Sequence, residues 1–102
     1  MKIFDKAQWH IDAGEDAEVV VGKFRSVYAF LEKNKLLSED GKELLEFGID
    51  SSISLNEQMV TEAGGVFLDK FYDEVINYGK DLIVDELEKR YAAFNVDDNA
   101  KY

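Results

Sequence analysis

An apolar stripe with helical spacing runs through the first third of this chain and constrains its fold more than any other feature. Apolar residues recur there at intervals of three and four positions, as on one face of an α-helix. We predict a helix from Asp16 to Lys35, with acids at its start and bases at its end, as the helix dipole favours. The stripe consists of Ala17, Val20, Val21, Phe24, Val27, Tyr28 and Leu31.

A second stripe occupies the C-terminal third and predicts a helix that begins after Thr61 and ends near Phe94. Roughly thirty residues is long for one globular helix. Since Asn77-Tyr78-Gly79 lies near its middle, we expect a kink or break that gives two helices. Residues 95–102 are polar, and we expect them to form a frayed tail. The stripe consists of Leu68, Phe71, Tyr72, Val75, Ile76, Leu82, Ile83, Leu87, Tyr91 and Phe94.

The middle of the chain predicts a short helix followed by an irregular segment. Ser38 is a natural N-cap for a helix from Glu39 to Phe47, and Gly48 suits the position that ends it. Residues 49–60 are the least regular stretch, with one short helix predicted from Leu55 to Met59. The apolar side of the Glu39–Phe47 helix is predicted to be Leu44, Leu45 and Phe47.

Residues 1–14 are predicted to form an apolar arm that packs on the helices. In an extended conformation, Trp9 and Ile11 share one face of this arm, and His10 and Asp12 share the other. No second strand is evident to pair with it. The fold class that follows is all-α, a small bundle of three to five helices with an irregular N-terminal arm, in a single domain spanning 1–102. The expected core is Val20, Phe24, Val27, Leu31, Leu44, Leu68, Tyr72, Val75, Leu82 and Leu87.

One sequence pattern occurs twice, with an offset of 23 residues. The segment from Leu37 to Leu45 resembles the segment from Val60 to Leu68 in its apolar residue, hydroxyl residue, acid and glycine. A duplicated helical unit and two helices that begin with the same capping chemistry both account for the echo. Since repeat architectures need at least three copies, we favour shared capping chemistry.

Charge is distributed unevenly along the chain. The first 35 residues carry six acids and six bases, whereas the rest of the chain carries the whole net charge of −10. Such a one-sided field selects cationic partners and repels anionic ones. The five carboxylates most isolated from bases are predicted to form an acidic interface, which competes with the interpretation of an ordinary solvated surface. They are Glu39, Asp40, Glu43, Glu46 and Asp50.

Composition disfavours several classes of protein. An acidic chain is a poor ligand for a phosphate backbone or an anionic membrane, so we expect neither nucleic acid nor membrane as a partner. There is no cysteine and no apolar run long enough to cross a bilayer. Residues 1–20 lack the apolar core of a signal peptide, so the expected location is the cytoplasm.

Catalytic and metal-binding patterns are weak. His10 is the only histidine. Two interpretations compete for it: a general base that Asp12 orients, and a lone histidine on the surface. The segment Asp50–Asn56 alternates oxygen side chains, but it has Leu55 where a calcium loop needs glycine and leads to Thr61 where the loop needs glutamate. We therefore predict no enzyme activity, no metal and no cofactor.

Three functions remain. The first is a non-enzymatic interaction domain whose acidic face binds a basic protein, as a bacterial immunity protein or antitoxin does. The second is a structural or assembly subunit that forms a homodimer through the apolar face of the long C-terminal helix. The third is a small metal-binding or hydrolytic enzyme that uses His10 with Asp12, or the loop from Asp50 to Glu57.

Overall fold

A computed structural model of the chain describes residues 1–75 and 83–100, with side chains omitted for 73–75, 83–84 and 95–100. These residues form five α-helices, one 3₁₀ helix and a two-stranded antiparallel sheet, which confirms the predicted small helical bundle. In chain order the elements are β1 (Ile3–Lys6), α1 (Ala7–Asp12), α2 (Ala17–Lys33), α3 (Glu39–Phe47), β2 (Ser54–Asn56), the 3₁₀ helix (Glu57–Met59), α4 (Glu62–Val75) and α5 (Ile83–Ala100).

Helix α2 is the centre of the structure, and most of its predicted face is buried, although Ala17 is exposed and Val21 is only partly buried. Its N-cap is Asp16, whose carboxylate accepts hydrogen bonds from the backbone N–H groups of Glu18 and Val19. Phe30, which lies off the predicted stripe, is also buried and meets the rings of Phe67 and Tyr91. Helix α2 therefore packs on more than one side, as a central helix must. The stripe residues that are buried are Val20, Phe24, Val27, Tyr28 and Leu31.

The N-terminal arm contains both a strand and a helix. Strand β1 pairs with β2, so the arm has the strand partner that its sequence does not reveal. Residues after Lys6 turn into α1, and the extended arrangement predicted for Trp9 to Asp12 is therefore wrong. The reason is tertiary, because the Ala7 N–H donates to the Ile53 carbonyl at 3.1 Å and ties the start of α1 to the loop before β2. The same pairing makes Leu55 part of a strand, so the short helix predicted from Leu55 is only the 3₁₀ helix.

The long C-terminal stripe corresponds to α4 and α5. The predicted break at Asn77-Tyr78-Gly79 lies outside the described residues. Helix α5 continues to Ala100, beyond the end that the stripe predicts at Phe94. An aromatic cluster, with ring centroids 5.2–6.1 Å apart, joins these helices to α2. It consists of Phe30, Phe67, Phe71, Tyr91 and Phe94.

Most of the predicted core is confirmed. The buried members are Val20, Phe24, Val27, Leu31, Leu68, Tyr72 and Leu87. Leu44 is only partly buried and packs against the edge of the core. The side chain of Val75 and the whole of Leu82 lie outside the described residues.

The repeated sequence pattern forms a reciprocal contact, here named the clasp, between the segments that precede α3 and α4. The Ser38 N–H donates to the Met59 carbonyl at 3.0 Å, and the Thr61 N–H donates to the Leu36 carbonyl at 2.8 Å. Between these bonds, Leu37 and Val60 form an antiparallel bridge. The two helix starts are therefore held together by paired backbone hydrogen bonds.

A glycine in each helix completes the clasp. The Gly41 N–H donates to the Ser38 hydroxyl at 3.2 Å, and the Gly64 N–H donates to the Thr61 hydroxyl at 3.1 Å. A methyl group on Gly41 would lie 2.2 Å from the Met59 carbonyl oxygen, and one on Gly64 would lie 2.6 Å from the oxygen of Leu36. The sequence echo thus corresponds to two caps that share one geometry, each with a glycine against the other segment's backbone.

Candidate functional site

The acidic face, defined as Glu39, Asp40, Glu43, Glu46 and Asp50, follows from the geometry of α3. Positions 39, 43 and 46 are separated by four and three residues, so their side chains lie on one side of the helix. Asp40 lies beside them, and Asp50 belongs to the turn after the helix. All five side chains are exposed. The predicted interface residues are therefore contiguous along α3 and not scattered over opposite sides.

Among the described contacts, Glu39 is the one of these five carboxylates in an ion pair, and Glu43 and Glu46 have neither an ion pair nor a side-chain hydrogen bond. Glu39 pairs with Lys42 at 3.5 Å in an exposed contact, and Asp40 accepts from the Gln58 amide at 3.2 Å. Among the described contacts, the bases of α2 form no ion pair with the acidic face. Lys23 pairs with Glu15 and Lys33 pairs with Glu88, whereas Arg25 donates to the carbonyl of Ile49, the residue before Asp50.

Asp50 organises the turn that follows α3. Its carboxylate accepts from the hydroxyl of Ser52 and from the Ser52 backbone N–H, the latter at 2.8 Å. The hydrogen bond from the Ser52 hydroxyl, and to a smaller extent the one from its backbone N–H, lower the pKa of Asp50 below its usual value. Because hydrogen bonds to the ionised form favour it, Asp50 keeps its negative charge in mildly acidic solution.

Phe47 is also on this side of α3, where it was not predicted. The sequence pattern predicts Phe47 on the apolar side with Leu44 and Leu45, but 82% of its surface is exposed. Since each helical residue advances about 100°, Phe47 lies one turn after Glu43 and between the directions of Glu43 and Leu44. Ile49, two residues later, enters the core instead.

A second feature, missed by sequence reasoning, is a chain of ionisable groups that is buried at Asp5 and His10 and partly buried at Glu15 and Lys23, here named the buried network. Its centre is Asp5, which is 1% exposed. One Asp5 carboxylate oxygen meets His10 Nε2 at 2.7 Å and accepts from the Tyr72 hydroxyl at 2.6 Å. The His10 Nδ1 atom lies 2.9 Å from the Glu15 carboxylate, which also pairs with Lys23 at 2.7 Å. The network joins β1, α1, α2 and α4.

The network overturns both predictions for His10. The side chain is not on the surface, because only 4% of His10 is exposed, and it does not pair with Asp12, which instead accepts from Gln8 at 2.8 Å. Both ring nitrogens lie within hydrogen-bond distance of carboxylate oxygens, so the ring is held between two acidic side chains. Each buried polar group of this network thus has a hydrogen-bond partner, as the interior of a protein requires.

Two shallow clefts flank these features. One, of about 400 Å³, lies between β1 and α4, with Phe4, Val60 and Val66 on its walls. The other, of about 480 Å³, lies between α2 and the Asp50 turn. In the part of the chain that the structure describes, no group of three or more histidine, aspartate or glutamate side chains is placed to hold a metal ion. Over the same residues, no helix combines the length and apolarity needed to cross a bilayer.

Comparison with protein-family models, curated proteins and solved structures gave no match. The acidic face and the buried network therefore stand on geometry alone. The position of Phe47 on the acidic side of α3 follows from the sequence, because Phe47 is four residues after Glu43 and seven after Asp40. No comparable signal existed for the network, because its members lie up to 67 residues apart.

Proposed function

We propose that this chain is a non-enzymatic interaction domain that binds a basic protein through its acidic face. The observation that carries the proposal is the exposed line of carboxylates on α3, in which Glu43 and Glu46 form no ion pair among the described contacts. A surface of this kind attracts a basic partner over distance and orients it on approach.

An inhibitor of the immunity or antitoxin type is the form of this function that the charge favours. Such a protein covers the basic surface of a toxin, and complementary fields accelerate the encounter. The net charge of −10 supports this function as well, because it repels nucleic acid and leaves the acidic face open to a basic protein.

A cationic peptide that stands in for the partner's basic surface provides the test. The ¹⁵N-labelled protein is titrated at low ionic strength with a blocked octapeptide of alternating lysine and glycine, and amide shifts are followed by NMR. The shifts should centre on α3 and the Asp50 turn. Added salt should weaken the binding, because exposed charge pairs are screened.

Charge reversal on the face supplies the decisive comparison. The variant Glu43→Lys/Glu46→Lys should weaken binding by about tenfold, because two attractive contacts become repulsive. The matched control is Asp12→Lys/Asp85→Lys, which alters exposed acids on α1 and α5. Both double variants have a formal net charge of −6 instead of −10. Equal weakening by the two variants, or shifts spread over the whole surface, would refute the proposal.

The homodimer that the sequence also allowed has less support. Of the described α4 side chains, Val66 is the one large apolar group that is exposed, at 55%. A stable dimer face needs a broader apolar patch than one valine. Sedimentation velocity should therefore give a monomer at all concentrations, and a sedimentation coefficient that rises with concentration would favour the dimer.

A further inference from the structure

We infer that the acidic face selects arginine over lysine, by stacking a guanidinium group on the ring of Phe47. The inference rests on the proposed function and deepens it, since it names the side chain that the basic partner presents. Its starting point is the 82% exposure of Phe47, the largest exposed fraction among the described large apolar side chains. Covering an aromatic ring that is exposed to water gains the free energy of apolar burial, so the ring of Phe47 is available to a partner.

The neighbours of Phe47 determine what kind of group fits against it. Glu43 lies one helical turn before it, and the Cβ atoms of residues so placed are about 5–6 Å apart. A flat cation lying on the ring is thus within reach of a carboxylate. Arginine combines both contacts, because its guanidinium group stacks on aromatic faces and pairs with a carboxylate through two parallel N–H groups. Lysine, a compact and strongly hydrated charge, makes one contact at a time.

The end of α3 adds a second attraction for a cation. The last turn contains no basic residue of its own and holds Glu46 next to Phe47. Helix C-termini carry partial negative charge, and here nothing on the helix offsets it. The chain already places one guanidinium close by, since Arg25 donates to the Ile49 carbonyl at 3.3 Å. Phe47, Glu43 and the C-terminal end of α3 together form an arginine-binding corner of the acidic face.

Two peptides of equal length and charge test this inference. The blocked lysine–glycine octapeptide is compared with an arginine–glycine octapeptide of the same design. The wild-type protein should bind the arginine peptide about two- to fivefold more tightly, the factor that an exposed cation–π contact provides. The Phe47→Leu variant keeps apolar volume but has no aromatic face, so it should lose that preference and bind the lysine peptide as before.

Two further variants separate the ring of Phe47 from other causes of arginine preference. Phe47→Tyr keeps an aromatic face and should keep the preference. Trp9→Leu removes the other exposed large aromatic among the described side chains, which is 44% exposed and has Lys6 6.0 Å from its ring, and should change nothing. Thermal melts of all variants should match wild type, since both rings are exposed.

The outcomes distinguish this inference from the function it rests on. Equal binding of the two peptides at α3, or a preference that survives Phe47→Leu, overturns the arginine inference and leaves the basic-partner proposal standing. Binding of neither peptide at α3 overturns both. Loss of the preference in Trp9→Leu with its retention in Phe47→Leu assigns the selectivity to α1 and also overturns the inference.

Discussion

At the scale of single residues, Asp5 is the side chain on which most other groups depend. It accepts from the Tyr72 hydroxyl and the Lys6 backbone N–H, and it faces a ring nitrogen of His10. These contacts connect an N-terminal strand to a helix more than sixty residues later. Removing the carboxylate leaves the buried imidazole and hydroxyl without this acceptor, and buried polar groups that lose a partner are costly.

We therefore expect Asp5→Ala to lower the free energy of unfolding by about 2–5 kcal/mol, because the buried imidazole and the buried hydroxyl each lose a hydrogen-bond partner at about 1–3 kcal/mol apiece. Asp12→Ala, an exposed acid on the adjacent helix, should change it by less than about 0.5 kcal/mol. Urea unfolding followed by circular dichroism measures both. A double-mutant cycle with His10→Ala should show coupling between the two residues, and strictly additive losses would show that the network does not act as a unit.

Tyr28 is a second buried polar side chain whose hydrogen bond joins two distant elements. Its hydroxyl donates to the Ser54 carbonyl at 2.7 Å, so α2 holds the start of β2. Burial raises the pKa of Tyr28 above its ordinary value, because the charged phenolate is poorly solvated in the interior. The neutral tyrosine is thus the form that the fold retains.

At the scale of elements, the clasp determines how α3 and α4 are placed. Its two hydrogen bonds and one bridge require the backbones to approach closely, and glycine is the residue that permits this at positions 41 and 64. Both glycines lie in first turns of helices, where alanine has the higher intrinsic propensity. Close packing therefore outweighs helix propensity at both positions.

Alanine substitutions at neighbouring glycines test this conclusion. Gly41→Ala and Gly64→Ala should each destabilise the protein by about 1–3 kcal/mol or more, because the added methyl group meets a backbone carbonyl. Gly65→Ala is the matched control, since its nearest neighbour is a valine methyl at 3.9 Å. It should stabilise the protein by about 0.4–1 kcal/mol through the smaller entropy of the unfolded chain. Thermal melts that rank Gly64→Ala with Gly65→Ala would contradict the clasp geometry.

At the scale of the whole molecule, the net charge of −10 opposes the compact state. The ion pairs on the described surface are exposed contacts such as Lys33 with Glu88 and Lys89 with Glu86, which contribute little each. Of the five carboxylates on the acidic face, Glu39 is the one that such a pair neutralises among the described contacts. Repulsion among carboxylates is therefore the main long-range electrostatic effect on stability.

Salt should consequently raise the melting temperature. At about 0.1 M ionic strength the screening length is about 10 Å, short enough to weaken repulsion between carboxylates on different elements. Melts at low and moderate sodium chloride concentrations measure the effect. Sodium sulfate is unsuitable, because it also strengthens hydrophobic burial. The variant Glu43→Lys/Glu46→Lys should show a smaller rise, and a melting temperature that falls with salt would mean that attractive pairs dominate.

Local patterns determined the long helices of this protein. The faces of α2 and α4 follow from apolar spacing, and the start of α3 follows from the Ser38 cap. These features depend on residues three or four positions apart, so the local sequence specifies them without any contact to distant parts of the chain. The acidic face on α3 follows for the same reason.

Tertiary structure alone decided the rest. The strand partner of β1, the helical conformation of Trp9 and the burial of His10 all depend on groups distant in sequence. A period-2 or period-3.6 pattern contains no information on such pairings. Helix propensity favours alanine at position 41, but the Met59 carbonyl lies against this position and leaves room only for glycine. A carboxylate such as that of Asp5 is best solvated at the surface, but the fold buries it beside His10. These positions are specified by the folded environment, because close packing and the burial of charge exist only there.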